Sequence, residues 1–512
     1  MLLYFTNIKK NIIIDKKMGF IQKDTIRTII ISYFGLVLGY LNKGILFVLI
    51  LSTEQIGLVN LILSVAILFS HLSNLGTINA IAKFAPFFEG KSNQKKQFFQ
   101  YSIWFVLIGI LLVTSLLFLL QNKVIQFYSE KSLLFVDYYY WIIPIGIANV
   151  LFVVFETYLR SIFKNILSVF LNDFILRISV TCLLTGLYFK AIDFEAFFVL
   201  HALVYFIPTT ILFIYLIATK EIGGRGTTLK MSKKLKRIIL SYSLYSYTNT
   251  IGTLIVMTMD AMMIAYFLGL KATGIYTTVV YLTNALQIPF RSLMRISYPL
   301  IPIYWKKKDM LSMSNLYKKT SSISLVVALS MFTIVWVNID DLFSFFPIEF
   351  KDGIWVFLFL MLGRIVDMYL GLNGWILITS KKYKFDMFFT ALLLVLVFVL
   401  NYLLIPIYGV IGAAISTGVA IFTYNVSRSI YIYLTYKLSP FDKKQIVVLC
   451  LFILLLTSMY LIPLFHFSPF ILIPIKSVVV ISVLTIVFVK FNLNEDITKF
   501  YSDILGRLKK GN

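Results

Sequence analysis

This sequence predicts an all-α membrane protein of 14 transmembrane helices, arranged as two six-helix bundles related by a pseudo-two-fold axis along the membrane normal, plus two C-terminal helices. Three observations carry that prediction. Fourteen apolar stretches are each long enough to cross a hydrocarbon core roughly 30 Å thick, which takes about 20 helical residues. Lys and Arg outside those stretches collect in alternate loops. The composition, 59% hydrophobic and 14% charged, lies far from that of soluble domains.

In chain order, spans 1 to 6 cover 26–49, 56–80, 99–120, 133–155, 166–189 and 196–218. Spans 7 to 12 cover 238–268, 273–297, 318–338, 353–379, 385–404 and 408–433, and spans 13 and 14 cover 444–464 and 469–489. No connecting segment is long enough for a sizeable soluble domain. The N-terminal MLLYFTNIKKNIIIDKK lacks a signal-peptide cleavage region, because Lys9, Lys10 and Asp15 break its short apolar runs. Span 1 is therefore expected to remain as a helix, and Met18 is a candidate start just before it. Cys182 and Cys450 fall inside spans, where a thiol behaves as a small apolar group, so no disulfide is expected.

Charge placement sets the orientation. Of the 47 Lys and Arg, only Lys123, Lys131, Lys190, Lys271 and Lys351 lie on one side, whose loops carry Asp340, Asp341, Glu349 and Asp352. The positive-inside rule then puts both termini in the cytoplasm. The net charge of +24 reads as topology and contact with anionic membrane lipids rather than nucleic-acid binding. The most basic segment, 219–237, follows six spans and reads as a cytoplasmic linker between halves. The expected organisation is 1–218, an N-terminal six-helix bundle; 219–237, the linker; 238–437, a C-terminal six-helix bundle; and 438–512, helices 13 and 14 with a cytoplasmic tail.

An internal repeat supports the halves. LSTEQIGLVN at Leu51–Asn60 aligns with LGLKATGIYT at Leu268–Thr277, and FAPFF around Pro86 aligns with LIPIY around Pro302, in nearly one register. Each half begins in the cytoplasm and holds an even number of spans, so the repeats are parallel. Spans 1 and 7 are then expected to face each other across a central cavity.

With its twelve-plus-two spans, the Leu-Gly-x-x-x-x-Gly-x-Tyr turn at Leu268–Tyr276 and NYLLIPIYGVIGAAISTGVA at Asn401–Ala420, the chain resembles the polysaccharide flippases of the multidrug/oligosaccharidyl-lipid/polysaccharide exporter superfamily. The resemblance covers nearly the whole chain. It implies a carrier in the cytoplasmic (inner) membrane that moves a polyprenyl-pyrophosphate-linked oligosaccharide to the periplasmic leaflet for O-antigen, capsule or exopolysaccharide synthesis. It further implies H+ or Na+ coupling and a polysaccharide polymerase as partner.

A charge at the bilayer centre costs roughly 3 kcal/mol, so the charges within spans are candidate cavity groups. They are Lys43 in span 1, Asp173 and Arg177 in span 5, Asp260 in span 7, Arg291 in span 8, Arg364 and Asp367 in span 10, and Lys476 in span 14. Arg295 and Arg428 lie close enough to cytoplasmic ends to snorkel. Asp173 with Arg177 and Arg364 with Asp367 have the spacing for local neutralisation, or line a cavity. Lys43 and Asp260 lack an opposite charge within a turn and stand 217 residues apart, the repeat offset. They are expected to pair across the cavity, either as a permanent bridge or as a switch that frees Lys43 for a lipid phosphate and lets Asp260 take a proton. Pyrophosphate recognition needs Lys or Arg in a low-dielectric pocket. Tyr245, with Tyr242 and Tyr247, offers stacking faces for sugars or forms an interfacial aromatic belt. Gly35 and Gly39 permit close packing or a hinge, and Pro289 predicts a kink before Arg291.

Competing readings have less support. A membrane glycosyltransferase or polymerase needs outer carboxylates or a metal, yet the first outer loop offers only Glu54, Asp340 and Asp341 form an isolated acidic pair, and His71, His201 and His466 lack ligand spacing. A cation-coupled multidrug antiporter of the same superfamily would carry an acid in the first half's cavity, where span 1 has Lys43. GGRGTT at Gly223–Thr228 lacks the Gly-Lys-Ser/Thr ending of a phosphate loop. No cofactor and no metal are expected.

Overall fold

The computed structural model describes residues 28, 30–88, 92–162, 164–222, 233–461 and 468–491. The candidate start at Met18, most of the basic linker and the C-terminal tail lie outside the described residues. Among the described residues the chain is helical without a strand, as it must be where lipid offers backbone groups no hydrogen-bond partner. Ten helices there are long and apolar enough to cross a membrane, by length and composition.

One of these, Lys384–Tyr436, has 53 residues. A straight helix of that length would run about 80 Å, far more than a bilayer. The chain turns at Gly409 (φ 61°, ψ −140°), a conformation that strains any side-chain-bearing residue, so the two arms coincide with expected spans 11 and 12. Expected spans 7 and 13 coincide with Lys233–Phe267 and Lys443–Leu461. Span 8 is broken into Leu270–Ala285 and Ile288–Ser297, and a short helix, Leu300–Lys307, follows it. The break falls at Leu286–Gln287, because Pro289 lacks an N–H to continue the ladder and fits the opening turn of a new helix.

Capping chemistry marks several starts. Leu51 is extended, and Ser52 then opens span 2 with a reciprocal capping box: its hydroxyl accepts from the Gln55 N–H at 3.2 Å, and the Gln55 side chain accepts from the Ser52 N–H at 3.0 Å. Asp193 caps span 6 and Asp309 caps Met310–Val337. The Ser312 hydroxyl and N–H hold the Asp309 carboxyl below the usual carboxylate range.

The chain forms two compact units, Met1–Thr258 and Met259–Asn512. Their division falls inside Lys233–Phe267 rather than in the basic linker, for a reason visible in the contacts. The early part of that helix bonds to the first unit, with the Tyr247 hydroxyl donating to the Leu72 carbonyl at 2.6 Å and Asn79 reaching Thr250 at 3.4 Å. From Asp260 onward its partners are in the second unit.

The first unit has an aromatic core in which Phe99 and Tyr158 stack at 3.8 Å. Tyr158 turns its hydroxyl to Glu221 at 2.8 Å, so the buried ring keeps its polar end satisfied. Spans 1 and 5 approach so closely that a Cβ at Gly35 would lie 2.1 Å from the Asp173 carbonyl oxygen. In the second unit Gly353–Leu370 packs along Lys384–Tyr436, with Gly363 against Gly418. Spans 13 and 14 both pack on Met310–Val337. Lys476 of span 14 pairs with Asp341 at 2.6 Å, so the outer acidic pair, isolated in sequence, is engaged in the fold.

Gly35→Ala is expected to destabilise the protein by roughly 1–3 kcal/mol through overpacking, read as a lowered unfolding midpoint in detergent. An unchanged midpoint would mean that spans 1 and 5 do not touch at this height.

Candidate functional site

Each unit holds a charged centre on its first long helix. In the first unit, span 1 (Ile30–Ile50) contains a π-helical turn at Leu41–Leu46, and Lys43 sits within it. Span 5 (Ile166–Tyr188) contains a second, Phe170–Ile175, around Asp173. Such turns insert a residue into the helix and occur often at functional sites. The two helices are bound by polar contacts along their length. Ser32 Oγ donates to Asp173 Oδ2 at 2.7 Å, Asn42 Nδ2 donates to the Arg177 carbonyl at 2.8 Å, and Thr181 Oγ1 donates to Asn42 Oδ1 at 2.8 Å.

Lys43 and Arg177 come within electrostatic reach of each other on these helices. Lys43 Nζ lies 3.4 Å from Asn60 Oδ1 on span 2. Arg177 meets Asp173 at 3.7 Å, a loose ion pair, while Asp173 also accepts from Asn172 at 3.2 Å. The carboxylate that Arg177 meets is thus already engaged by neutral donors, Ser32 and Asn172. His201 is buried nearby among Phe47, Phe197 and Tyr205.

In the second unit Asp260 is 8% exposed. It accepts from Tyr276 Oη at 2.5 Å, Asn401 Nδ2 at 2.7 Å and Thr417 Oγ1 at 2.7 Å. Neutral donors hold the buried carboxylate from spans 8, 11 and 12, with the Arg364 guanidinium in electrostatic reach of Asp260 and Tyr276. Arg364 Nε and Asn401 Oδ1 are buried without a hydrogen-bond partner among the described residues. An orphaned acceptor beside a carboxylate is an arrangement that a proton or a small cation would complete.

The two centres stand near the offset read from the sequence repeat: Lys43 and Asp260 are 217 residues apart and their partners Asn60 and Tyr276 are 216 apart. The first unit thus carries a cation and the second a carboxylate, each bonded to its own unit's next helix.

Other candidates take different places. Asp367 accepts from Asn425 Nδ2 at 3.1 Å, in a buried network with Asn373, Ser429 and Tyr317. Arg291 is exposed, with Gln287 at 3.5 Å. Arg428 does not snorkel: it is 7% exposed, ion-paired with Asp386 and seated over the Tyr424 ring at 4.5 Å. The correction has a simple cause, since a buried carboxylate on the neighbouring arm offers a stronger partner than the interface. The Tyr245 side chain lies outside the described residues. Tyr242 receives Lys83 over its ring at 3.6 Å.

Sequence reasoning missed Tyr276, Asn401, Thr417 and Asp386. The first three stand inside the two motifs quoted for the resemblance, so a signal existed. What was missing was the knowledge that both motifs converge on Asp260.

A sequence family described as "Polysaccharide biosynthesis protein" matches residues 21–305. A relative in Haloferax volcanii, the "Probable low-salt glycan biosynthesis flippase Agl15", is 23% identical over 204 residues. That match covers 40% of this chain and 43% of the relative, so the chain spans about two-fifths of the relative's length in the matched region. The fold is similar to that of the lipid II flippase MurJ in an inward closed conformation, with a TM-score of 0.71, 15% identity, and coverage of 92% of this chain and 100% of that one. It is also similar to an inward-facing multidrug resistance MATE family transporter of the MOP superfamily, with a TM-score of 0.63, 13% identity, and coverage of 78% and 94%. A MOP superfamily transporter from Pyrococcus furiosus gives a TM-score of 0.55 at 14% identity, with coverage of 81% and 96%.

Tyr276→Phe is expected to lower stability by about 1.5–3 kcal/mol, the range for a hydrogen bond to a charged group, read as thermal unfolding in detergent. In an Asp260→Asn background the loss is expected to shrink. Equal losses in both backgrounds would show that the hydroxyl does not serve the carboxylate.

Proposed function

The chain belongs to the polysaccharide biosynthesis protein family, matched over more than half its length, and on that premise we propose that it flips a polyprenyl-pyrophosphate-linked oligosaccharide from the cytoplasmic to the periplasmic leaflet by alternating access. The observation that carries this reading is a pair of cations, Lys43 and Arg177, on adjoining helices within a membrane-spanning unit, with Arg177 only loosely paired to a carboxylate that Ser32 engages. The loose Arg177–Asp173 pairing leaves the guanidinium open to a pyrophosphate oxygen, and in low dielectric each charge-assisted hydrogen bond to it is stronger than in water. The family and the flippase described in Haloferax volcanii support the same cargo class.

Asp260 is the coupling group in this proposal. Its carboxylate gathers Tyr276 Oη and Thr417 Oγ1 as an oxygen cluster within the second unit, and Asn401 binds it through Nδ2 with its own Oδ1 left over. Such a cluster accepts a proton or a Na+ ion without any group outside that unit. In this reading the chain acts as a carrier without catalytic activity in the inner membrane, with both termini cytoplasmic, which the Lys and Arg distribution supports. It hands its cargo to a polysaccharide polymerase. A second reading, a cation-coupled multidrug antiporter, draws on the same Asp260 centre but leaves Lys43 and Arg177 without a role.

Deleting the gene is expected to leave complete lipid-linked units facing the cytoplasm. Lys43→Gln and Arg177→Gln are each expected to slow transport about tenfold or more, the loss of one charge-assisted contact. Asp260→Asn is expected to abolish dependence on an imposed H+ or Na+ gradient. Normal surface glycan with altered dye efflux would favour the antiporter and remove the flippase reading.

A further inference from the structure

We propose that Ser32 and Asp173 set the strength of the anion site at Arg177, with Ser32 acting as a positioning residue that keeps the Asp173 carboxylate from closing on the guanidinium. The inference rests on the reading of Lys43 and Arg177 as headgroup contacts, and adds what tunes them.

The first unit provides its own comparison. Glu156 and Arg160 have the same order and four-residue spacing as Asp173 and Arg177, and they close to 2.7 Å. Asp173 and Arg177 remain 3.7 Å apart. Part of that ångström is the shorter Asp side chain. The rest has two visible causes. The π-helical turn Phe170–Ile175 adds a residue to the turn that carries Asp173, which displaces it from ordinary α-helical register. Across the interface Ser32 Oγ donates to Asp173 Oδ2 at 2.7 Å and draws the carboxylate toward span 1. Gly35, one turn along, lets the helices approach closely enough for that bond.

The consequence is electrostatic. A carboxylate closed on Arg177 would occupy the positions that a phosphate oxygen needs, and bidentate recognition would be lost. Held by Ser32 and Asn172, the carboxylate still moderates the field of the Arg177 guanidinium without filling the site. Such a site binds a pyrophosphate and also releases it, as a carrier requires.

The test is binding of a sugar-free polyprenyl pyrophosphate to the full-length protein in nanodiscs, with polyprenyl monophosphate as comparison and unfolding midpoints read alongside. Ser32→Ala is expected to weaken pyrophosphate binding roughly three- to tenfold, as the freed carboxylate closes on Arg177. Ser32→Thr, which keeps the hydroxyl, restores it. Asp173→Asn binds at least as tightly as the wild type, and Ser32→Ala combined with Asp173→Asn matches Asp173→Asn alone. An indifferent Ser32→Ala, or a loss that Asp173→Asn does not reverse, overturns the inference. If Arg177→Gln leaves binding intact, the headgroup reading falls with it; if Arg177→Gln abolishes binding while Ser32→Ala is silent, only the present inference falls.

Discussion

Lipid supplies no hydrogen bonds, and that constraint governs every polar group between the interfaces of this protein. Each interior charge must find its partners in the protein, and the partners found here are mostly neutral. Asp260 is held by a tyrosine, an asparagine and a threonine, and Asp173 by a serine and an asparagine. Neutral donors stabilise a charge without cancelling it, so its field stays available to a ligand. The full ion pairs Asp341–Lys476 and Asp386–Arg428 instead tie separate helical segments together.

The repeat expected from the sequence offers a logic for this arrangement. Spans 1 and 7 each carry an ionisable group bonded to the following span of its own unit. The charges are opposite. For a proposed carrier of an anionic lipid driven by a cation, one copy is suited to the cargo and the other to the ion. Small residues make both centres reachable: Gly35 brings span 1 against span 5, and Gly409 turns the chain so that Asn401 and Thr417, on either side of the turn, meet at Asp260.

Much of this was legible in the linear chain. The apolar spans and the close approach at Gly35 follow from hydrophobic length and residue size. Pro289 announced the broken span 8. Arg428 was misplaced because distance from a helix end measures depth, whereas burial depends on whether a carboxylate faces it, and Asp386 lies 42 residues earlier. The polar network around Asp367 was invisible for the same reason: Asn373, Asn425 and Ser429 are unremarkable residues until three helices bring them together.

The sequence by itself determined the class of molecule, its many helices, its orientation signal and the identity of its costly interior charges, because the bilayer imposes those through length and polarity along one dimension. Only the tertiary structure decided how each charge is satisfied, that both π-helical turns adjoin the span 1 to span 5 contact, and that the division between units falls within span 7. Those outcomes depend on side chains far apart in the chain meeting at about 3 Å, and no periodicity along a single helix encodes such a meeting.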